Sequence, residues 1–258
     1  MSDSEQFCEQ SHKQKIIIND DNSLSNGTVI PFSTVHTGQI FGGKEAEPHS
    51  RPYMVILERH MHNGSRKYCD GFILTEDFVM TAAHCQAKSY KVYQGVHDYF
   101  KKNEKQSVVV EKAFPHKDYD SHNYTNDVMI LKLSSKMNFS KTVKPIPLAG
   151  QSDGPPKACI VSGWGATSKE NKPGQHMSHV LMEVNVTLID NKFCKSNDMY
   201  CSEGVAGPRV GDSGGPLVCD GKAYGVVSNE FQDSGILLYS YSMIPDQRSW
   251  IGSTFKNA

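Results

Sequence analysis

The chain of 258 residues is long enough for one large all-β domain or for two small domains that share an interface. Apolar residues make up 38% of the chain and charged residues 21%, which is typical of a soluble globular protein. No stretch approaches the roughly 18 consecutive apolar residues of a transmembrane helix. The formal charge of −1, without a basic run, gives no indication of nucleic-acid binding.

The first 39 residues differ in composition from the rest. They contain five acidic and two basic side chains, so the remaining residues carry a formal charge of +2. Because residues 1–37 are rich in Asn, Ser and Asp, we expect them to be poorly ordered. A secretory signal needs an apolar core of about 7–15 residues, and this segment has none.

From Arg51 onward, short apolar segments alternate with turn-rich loops, and this spacing predicts a β-barrel or β-sandwich. Proline followed by an acidic residue predicts one helix, beginning near Pro245 or Asp246. The predicted strands are 53–59, 71–74, 78–81, 91–95, 106–114, 128–133, 158–163, 181–188, 216–219, 223–228 and 237–243.

The segment 211–216 places Ser213 between Asp212 and two glycines. Such a segment suits a backbone that approaches a ligand closely around an exposed hydroxyl, although a plain turn would also fit. The N–H groups of Gly211 and Ser213 could then point at one developing oxyanion. A neutral serine is a poor nucleophile unless a base and an orienting acid lie nearby.

Two other segments supply a base and an acid. His84 follows the small residues of Thr81-Ala82-Ala83, and Asp127 stands at the head of the apolar run 128–131. Either residue alone is more often structural. The chain order His84, Asp127, Ser213 is that of the chymotrypsin arrangement rather than of the subtilisin or α/β-hydrolase arrangement.

With these motifs, residues 40–258 resemble the chymotrypsin-like serine proteases, and the granzyme and mast-cell branch in particular. Many trypsin-like relatives have a cysteine where this chain has Arg209. The matching segments are Ile40-Phe41-Gly42-Gly43, Thr81-Ala82-Ala83-His84-Cys85, Asp127-Val128-Met129-Ile130-Leu131, Ser162-Gly163-Trp164-Gly165 and Gly211-Asp212-Ser213-Gly214-Gly215-Pro216.

The resemblance implies an all-β fold of two antiparallel six-stranded β-barrels with a C-terminal helix. The first barrel is expected at about 40–145, the second at about 146–244 and the helix at about 245–256. Residues 1–39 would be a polar leader or propeptide that is removed on activation.

Seven cysteines indicate an oxidising compartment, although zinc or reduced thiols are alternatives for an intracellular protein. Six cysteines allow 15 connectivities, and the sequence alone does not choose among them. The resemblance implies the pairs Cys69–Cys85, Cys159–Cys219 and Cys194–Cys201, which leaves Cys8 over. No metal and no cofactor are expected.

In the chemistry that the resemblance implies, Ser213 attacks a peptide carbonyl while His84 accepts its proton, and Asp127 orients the imidazole. The N–H groups of Gly211 and Ser213 form the oxyanion hole. Ser228 matches the residue that donates a hydrogen bond to the buried aspartate, with an ordinary strand serine as the alternative.

The resemblance also implies a zymogen. Cutting before Ile40 would create an α-amino group that pairs with Asp212 and orders the oxyanion hole. Because Gln39 precedes the cut, trypsin should not activate the chain. The dipeptide Gly38-Gln39 instead looks like the one that a dipeptidyl peptidase removes from granzyme-type precursors.

Substrate choice departs from the tryptic pattern. Gly207 matches the pocket floor where trypsin-like enzymes have aspartate, and Pro208 would stiffen the pocket wall. Asn229 and Glu230 stand where an aromatic residue and a glycine are usual, and Tyr239 falls near the inner wall. We therefore expect non-tryptic specificity, either for small or apolar residues or for a basic residue attracted by Glu230.

The leading hypothesis is an active serine endopeptidase of the immune-granule type that acts on proteins or peptides as a monomer. The alternatives are a weak or inactive protease scaffold that serves as a binding or signalling glycoprotein, and an intracellular protein that never matures. Serpin-type inhibitors and granule proteoglycan are the other expected partners, and secretion or storage in granules is the expected location. Acceptors for N-glycosylation occur at Asn26, Asn63, Asn123, Asn138 and Asn185.

Overall fold

A computed structural model of the chain describes residues 42–104, 106–166 and 177–258. The expected leader, with Cys8 and Asn26, lies outside the described residues, and so does Ile40 with its activation junction.

Thirteen strands occur in the described part of the chain. In chain order they are Lys44–Glu45 (β1), Met54–His60 (β2), Arg66–Ile73 (β3), Phe78–Thr81 (β4), Ser89–Gln94 (β5), Gln106–Pro115 (β6), Met129–Leu133 (β7), Ala158–Gly163 (β8), Met182–Ile189 (β9), Met199–Glu203 (β10), Pro216–Cys219 (β11), Lys222–Asp233 (β12) and Ile236–Met243 (β13).

Strands β2 to β7 close into the first barrel in the order β2-β3-β4-β7-β6-β5. All of their pairings are antiparallel. Strand β5 shows how the pattern builds a barrel, because Tyr90, Val92 and Gln94 are buried while the residues between them are more exposed. Closure leaves this sheet without an open edge.

Strands β8 to β13 form the second barrel in the order β9-β10-β13-β12-β11-β8, and the pairing of β8 with β9 closes it. The predicted fold of two six-stranded antiparallel barrels with a C-terminal helix is therefore confirmed. The short strand β1 pairs with β9, at Glu183 and Met182. Residues 44–45, which we expected in the first barrel, thus extend the sheet of the second.

Helices are short and few in the described residues. The α-helices are Lys192–Ser196 (α1) and Arg248–Asn257 (α2), and single 3₁₀ turns include Ala83–Cys85 and Pro245–Gln247. Pro245 opens the predicted C-terminal helix with a 3₁₀ turn. The sequence patterns did not predict α1, which Asn191 caps by accepting a hydrogen bond from the Cys194 N–H at 3.1 Å.

Strand β10 was also not predicted, because its segment Met199-Tyr200-Cys201-Ser202-Glu203 is short and only partly apolar. It is held as a strand by five residue pairs with β13 and two with β9. All of the predicted strands are present, with ends that differ by a few residues in most of them.

The C-terminal helix α2 follows the second barrel in sequence but packs on the core of the first. Ile251 is buried in the same apolar cluster as Leu131 of β7 and Val79 of β4. The ring of Phe255 stacks on that of Phe78, with 4.7 Å between centroids. No helix in the described residues is both long and apolar enough to span a lipid bilayer.

Candidate active site

His84 lies in the 3₁₀ turn Ala83–Cys85, which follows β4 almost directly. The disulfide Cys69–Cys85 fastens this turn to β3. Arg59 of β2 also holds the backbone, since its Nη2 donates to the carbonyls of His84 at 3.2 Å and Gln86 at 3.1 Å. The imidazole is thus carried by a backbone that neighbouring elements restrain.

The carboxylate of Asp127 is fully buried and accepts three hydrogen bonds. Its Oδ1 accepts from the backbone N–H of His84 at 2.8 Å. Its Oδ2 contacts His84 Nδ1 at 2.6 Å and accepts from Ser228 Oγ at 2.7 Å. With Nδ1–H directed at Asp127, the imidazole presents Nε2 as its remaining nitrogen.

Ser228 reaches this carboxylate because of an irregularity in β12. The pairing of β12 with β13 shifts register between Val227 and Asn229, so Ser228 lies at a β-bulge. A bulge bends the strand locally and re-aims a side chain. The second barrel in this way contributes a donor to an aspartate of the first.

Ser213 lies in the loop that precedes β11, and two glycines shape that loop. Gly211 has a φ of 105° and Gly214 a φ of 86°, values that side chains disfavour. A Cβ on Gly214 would also overlap Thr81 Oγ1 of the first barrel. The Ser213 carbonyl accepts a hydrogen bond from the backbone N–H of Asp70 at 2.8 Å, which joins the loop to β3.

His84, Gly211 and Ser213 line the same cleft between the two barrels, which has a volume of about 420 Å³. Within the described residues, the backbone N–H groups of Gly211 and Ser213 donate to no protein acceptor. Both amides are therefore available to an acceptor that enters the cleft.

Asp212, next to the candidate nucleophile, is fully buried. Its carboxylate accepts hydrogen bonds from the backbone N–H groups of Gly165 and Arg209, both at 2.7 Å. Burial raises the pKa of Asp212 to about 7, against the lowering effect of these two bonds and of the Arg209 charge. The carboxylate thus lacks full electrostatic compensation within the described residues.

A second, smaller pocket of about 90 Å³ adjoins Ser213. Most of the expected specificity residues line this pocket, and Gly207 is the exception. The ring of Tyr239 stands against Gly207, so that a Cβ added there would overlap the ring. The pocket is lined by Pro208, Arg209, Val210, Ser213, Val227, Ser228, Asn229, Glu230 and Tyr239.

The negative charge of Glu230 is compensated by Arg209 inside this pocket. Arg209 Nη1 contacts Glu230 Oε2 at 2.9 Å, and both side chains are mostly shielded from solvent. The Arg209 guanidinium also lies 5.8 Å from the centroid of the Tyr239 ring. The pocket is therefore narrow and close to neutral.

The sequence matches the profile of the trypsin family, described as "Trypsin", over residues 40–251. The chain belongs to the trypsin family. It is 40% identical to granzyme-like protein 2 of Rattus norvegicus, an alignment that covers 88% of this chain and 94% of that protein. It is 37% identical to granzyme B of Rattus norvegicus, over 86% and 93% of the two chains.

This trypsin-family member is also similar to the chymase of Papio hamadryas, with 40% identity over 76% of this chain and 83% of that protein. A solved structure described as "Structure of GrC" superposes with a TM-score of 0.71 at 33% identity, covering 83% of this chain and 99% of that one. The expected resemblance to chymotrypsin-like proteases, with granzymes and chymase among the relatives, is confirmed. The protein is a serine endopeptidase that acts on proteins or peptides.

The three cysteine pairs implied by the resemblance are bonded in the structure of this protease. They are Cys69–Cys85, Cys159–Cys219 and Cys194–Cys201. The second bond joins β8 to β11, and the third joins α1 to β10.

Sequence reasoning missed two residues of this site. Asp70 is fully buried beside Asp212, and only the oddity of a charged residue in the run Cys69-Asp70-Gly71 could have drawn attention to it. Arg209 was noted only as the replacement of a cysteine. Its partner Glu230 lies 21 residues downstream, so their contact is visible only in three dimensions.

Proposed function

We propose that this endopeptidase cleaves peptide bonds with Ser213 as nucleophile, His84 as general base and Asp127 as the orienting acid. The contact of 2.6 Å between His84 Nδ1 and Asp127 Oδ2, at the edge of a cleft that Ser213 also lines, carries the proposal. It assigns the imidazole the tautomer in which Nε2 can accept the serine proton.

In the first step, Ser213 Oγ attacks the carbonyl carbon of the substrate and its proton moves to His84 Nε2. The carbonyl oxygen becomes an oxyanion, which the N–H groups of Gly211 and Ser213 stabilise. Collapse of this intermediate breaks the C–N bond, and His84 passes its proton to the leaving amine. Water then attacks the acyl-enzyme with His84 again as the base. The ester bond to Ser213 Oγ breaks, the carboxylic acid product leaves, and Ser213 is regenerated.

Ser213→Ala tests the assignment. Loss of the nucleophile should lower kcat for a peptide substrate by at least about 10⁴-fold, while the thermal unfolding midpoint changes little. A fluorophosphonate probe should label the activated wild-type protein and fail to label the variant. Ser253→Ala, which alters an exposed serine of α2, is the matched control. Equal hydrolysis by wild type and Ser213→Ala would contradict the proposal.

We further propose that the uncut chain is a zymogen and that the α-ammonium group of Ile40 is the partner of Asp212. The support is the buried carboxylate of Asp212, whose pKa of about 7 reflects insufficient compensation by two backbone N–H groups. A cation beside it would lower that pKa and hold the neighbouring oxyanion loop in place. Removal of Gly38-Gln39 by a dipeptidyl peptidase is the proposed activation step.

For substrate specificity, we propose a small, uncharged side chain such as alanine or serine at the position before the cleaved bond. Tyr239 fills much of the primary pocket, which measures only about 90 Å³. A basic substrate residue is disfavoured, because the carboxylate of Glu230 is already paired with Arg209 at 2.9 Å.

We place the working protein in secretory granules or outside the cell, as a glycosylated monomer. Three disulfides support an oxidising compartment. The acceptors Asn63, Asn123, Asn138 and Asn185 are all exposed. Residues 40–258 carry a formal charge of +2 and nine histidines, which would favour binding to acidic granule proteoglycan at low pH. Serpin-type inhibitors are the other proposed partners.

A further inference from the structure

Asp70 is a fully buried carboxyl group on β3 with too few hydrogen-bond donors. Its Oδ2 accepts one bond, from the backbone N–H of Trp164 at 3.1 Å. Its Oδ1 is buried and has no partner among the described residues. An ionised carboxylate in such a place is costly, whereas a protonated one can donate a hydrogen bond.

The neighbour that could accept this bond is Asp212. A Cβ placed on Gly163 would overlap both Asp212 Oδ1 and Asp70 Oδ2, so the two carboxyl groups converge on one face of this glycine. Burial, and then the negative charge of Asp212, raise the pKa of Asp70 well above its usual range. Two carboxyl groups this close hold one proton between them over a wide pH range.

The surroundings decide which carboxyl group keeps the proton. Asp212 accepts two backbone N–H bonds and lies near the positive charge of Arg209, which favours its ionised form. Asp70 has a single N–H donor. The proton therefore belongs on Asp70 and the charge on Asp212.

We propose that Asp70 is a positioning residue for the activation ion pair. It stays protonated beside Asp212 and donates a hydrogen bond to it, so that the two carboxyl groups present one negative charge to one α-ammonium group. The inference rests on the proposed pairing of Asp212 with Ile40. It adds that this chain carries a second carboxyl group there, and that the closed oxyanion loop needs that group to be neutral.

A pH dependence follows from the sign of the shift. A carboxyl group with a raised pKa is neutral below that pKa, so its favourable contribution to the closed loop is lost as the pH rises through it. Among the described residues, the other titratable groups that interact with Asp212 are Arg209 and Tyr241. The proposed pairing adds the Ile40 amine. Ionisation of Asp70 would leave two carboxylates facing one ammonium group, and the loop would loosen.

The test uses the chain that begins at Ile40 and two neutral variants with a similarly branched side chain, of which leucine is the larger. Asp70→Asn keeps a neutral donor, whereas Asp70→Leu has none. At pH 7 we expect kcat/KM of Asp70→Asn to exceed that of Asp70→Leu at least about tenfold. The alkaline loss of fluorophosphonate labelling should move to higher pH in Asp70→Asn by roughly one unit relative to wild type. Equal activity of the two variants, or an inactive Asp70→Asn, would overturn the proposal.

Infrared spectroscopy provides a readout that does not depend on activity. Wild-type protein at neutral pH should show the C=O band of a buried carboxylic acid, and Asp70→Asn should lack it. Absence of this band from the wild type contradicts the proposal even if a variant fails to fold. Asp212→Asn distinguishes the pairing with Ile40 from the protonation of Asp70. Full activity of this variant would refute the pairing, whereas the infrared band of the wild type still reports the proton on Asp70.

Discussion

Two side chains set the size and charge of the primary pocket. Tyr239 is fully buried, and its ring occupies the space in front of Gly207. Arg209 forms an ion pair with Glu230 at 2.9 Å. Gly207 has no side chain, but an open apolar pocket does not result, because the ring of Tyr239 fills the volume that glycine leaves.

Tyr239→Ala should enlarge this pocket and broaden specificity. We expect the ratio of kcat/KM for a peptide with phenylalanine before the cleaved bond to that for alanine to rise at least about tenfold. Truncation of the buried ring should also lower the free energy of unfolding by about 3–5 kcal/mol. Peptide-library cleavage measures the first effect and urea denaturation the second.

Tyr239→Phe is the matched control for that change. It removes only the hydroxyl, which is buried without a hydrogen-bond partner among the described residues, so the pocket volume and the preference for small residues should persist. If Tyr239→Ala keeps the wild-type preference, another part of the pocket limits substrate size.

At the scale of the elements, the C-terminal helix α2 connects the two barrels. It leaves β13 of the second barrel and inserts Ile251 into the apolar cluster of the first. Because each barrel supplies part of the active site, an element that ties them restricts their relative motion.

Ile251→Ala should therefore destabilise the whole domain. Loss of a buried isoleucine side chain that is only 4% exposed should lower the free energy of unfolding by about 2–4 kcal/mol. Urea denaturation with the disulfides intact measures it. Ser253→Ala, on the exposed side of the same helix, should change stability by less than about 0.5 kcal/mol. A similar loss from both variants would show that α2 does not anchor the barrels.

For the whole molecule, the proposed catalytic groups come from both barrels, and we propose that activation controls their assembly. His84 and Asp127 belong to the first barrel, whereas Ser213 and Ser228 belong to the second. The hydrogen bond between Ser228 and Asp127 at 2.7 Å crosses between them. The loop that carries Ser213 also carries Asp212, so a change at the buried carboxylate would directly affect the Gly211 and Ser213 amides that we propose as the oxyanion hole.

Activity should accordingly depend on a free amine at Ile40. A chain that begins at Ile40 should hydrolyse peptides, whereas one that keeps Gly38-Gln39 should be at least about 100-fold slower, because Asp212 then lacks its cation. A dipeptidyl peptidase should rescue the longer chain, and trypsin should not. Peptide hydrolysis before and after each treatment measures this, and equal starting activity of the two chains would refute the zymogen proposal.

Much of the architecture was predictable from local patterns. Strands β4, β8 and β11 occupy the predicted ranges, because each combines an apolar run with clear turn residues on both sides. The order His84, Asp127, Ser213, together with the other motifs of the family resemblance, was enough to predict the fold and the class of enzyme, a serine endopeptidase. These signals are local, or they follow from the order of motifs along the chain, and both are properties of the sequence itself.

Contacts between distant segments were not predictable in this way. Strand β10 exists because β9 and β13 pair with it, and β1 joins the second barrel although it precedes the first. The approach of Asp70 to Asp212 and the pairing of Arg209 with Glu230 depend on how loops from separate elements meet. Residue types and motif order along the chain determined the fold and the candidate triad. Only tertiary packing decided the size of the pocket beside Ser213 and the approach of the buried acids Asp70 and Asp212, because both depend on side chains that distant segments bring together.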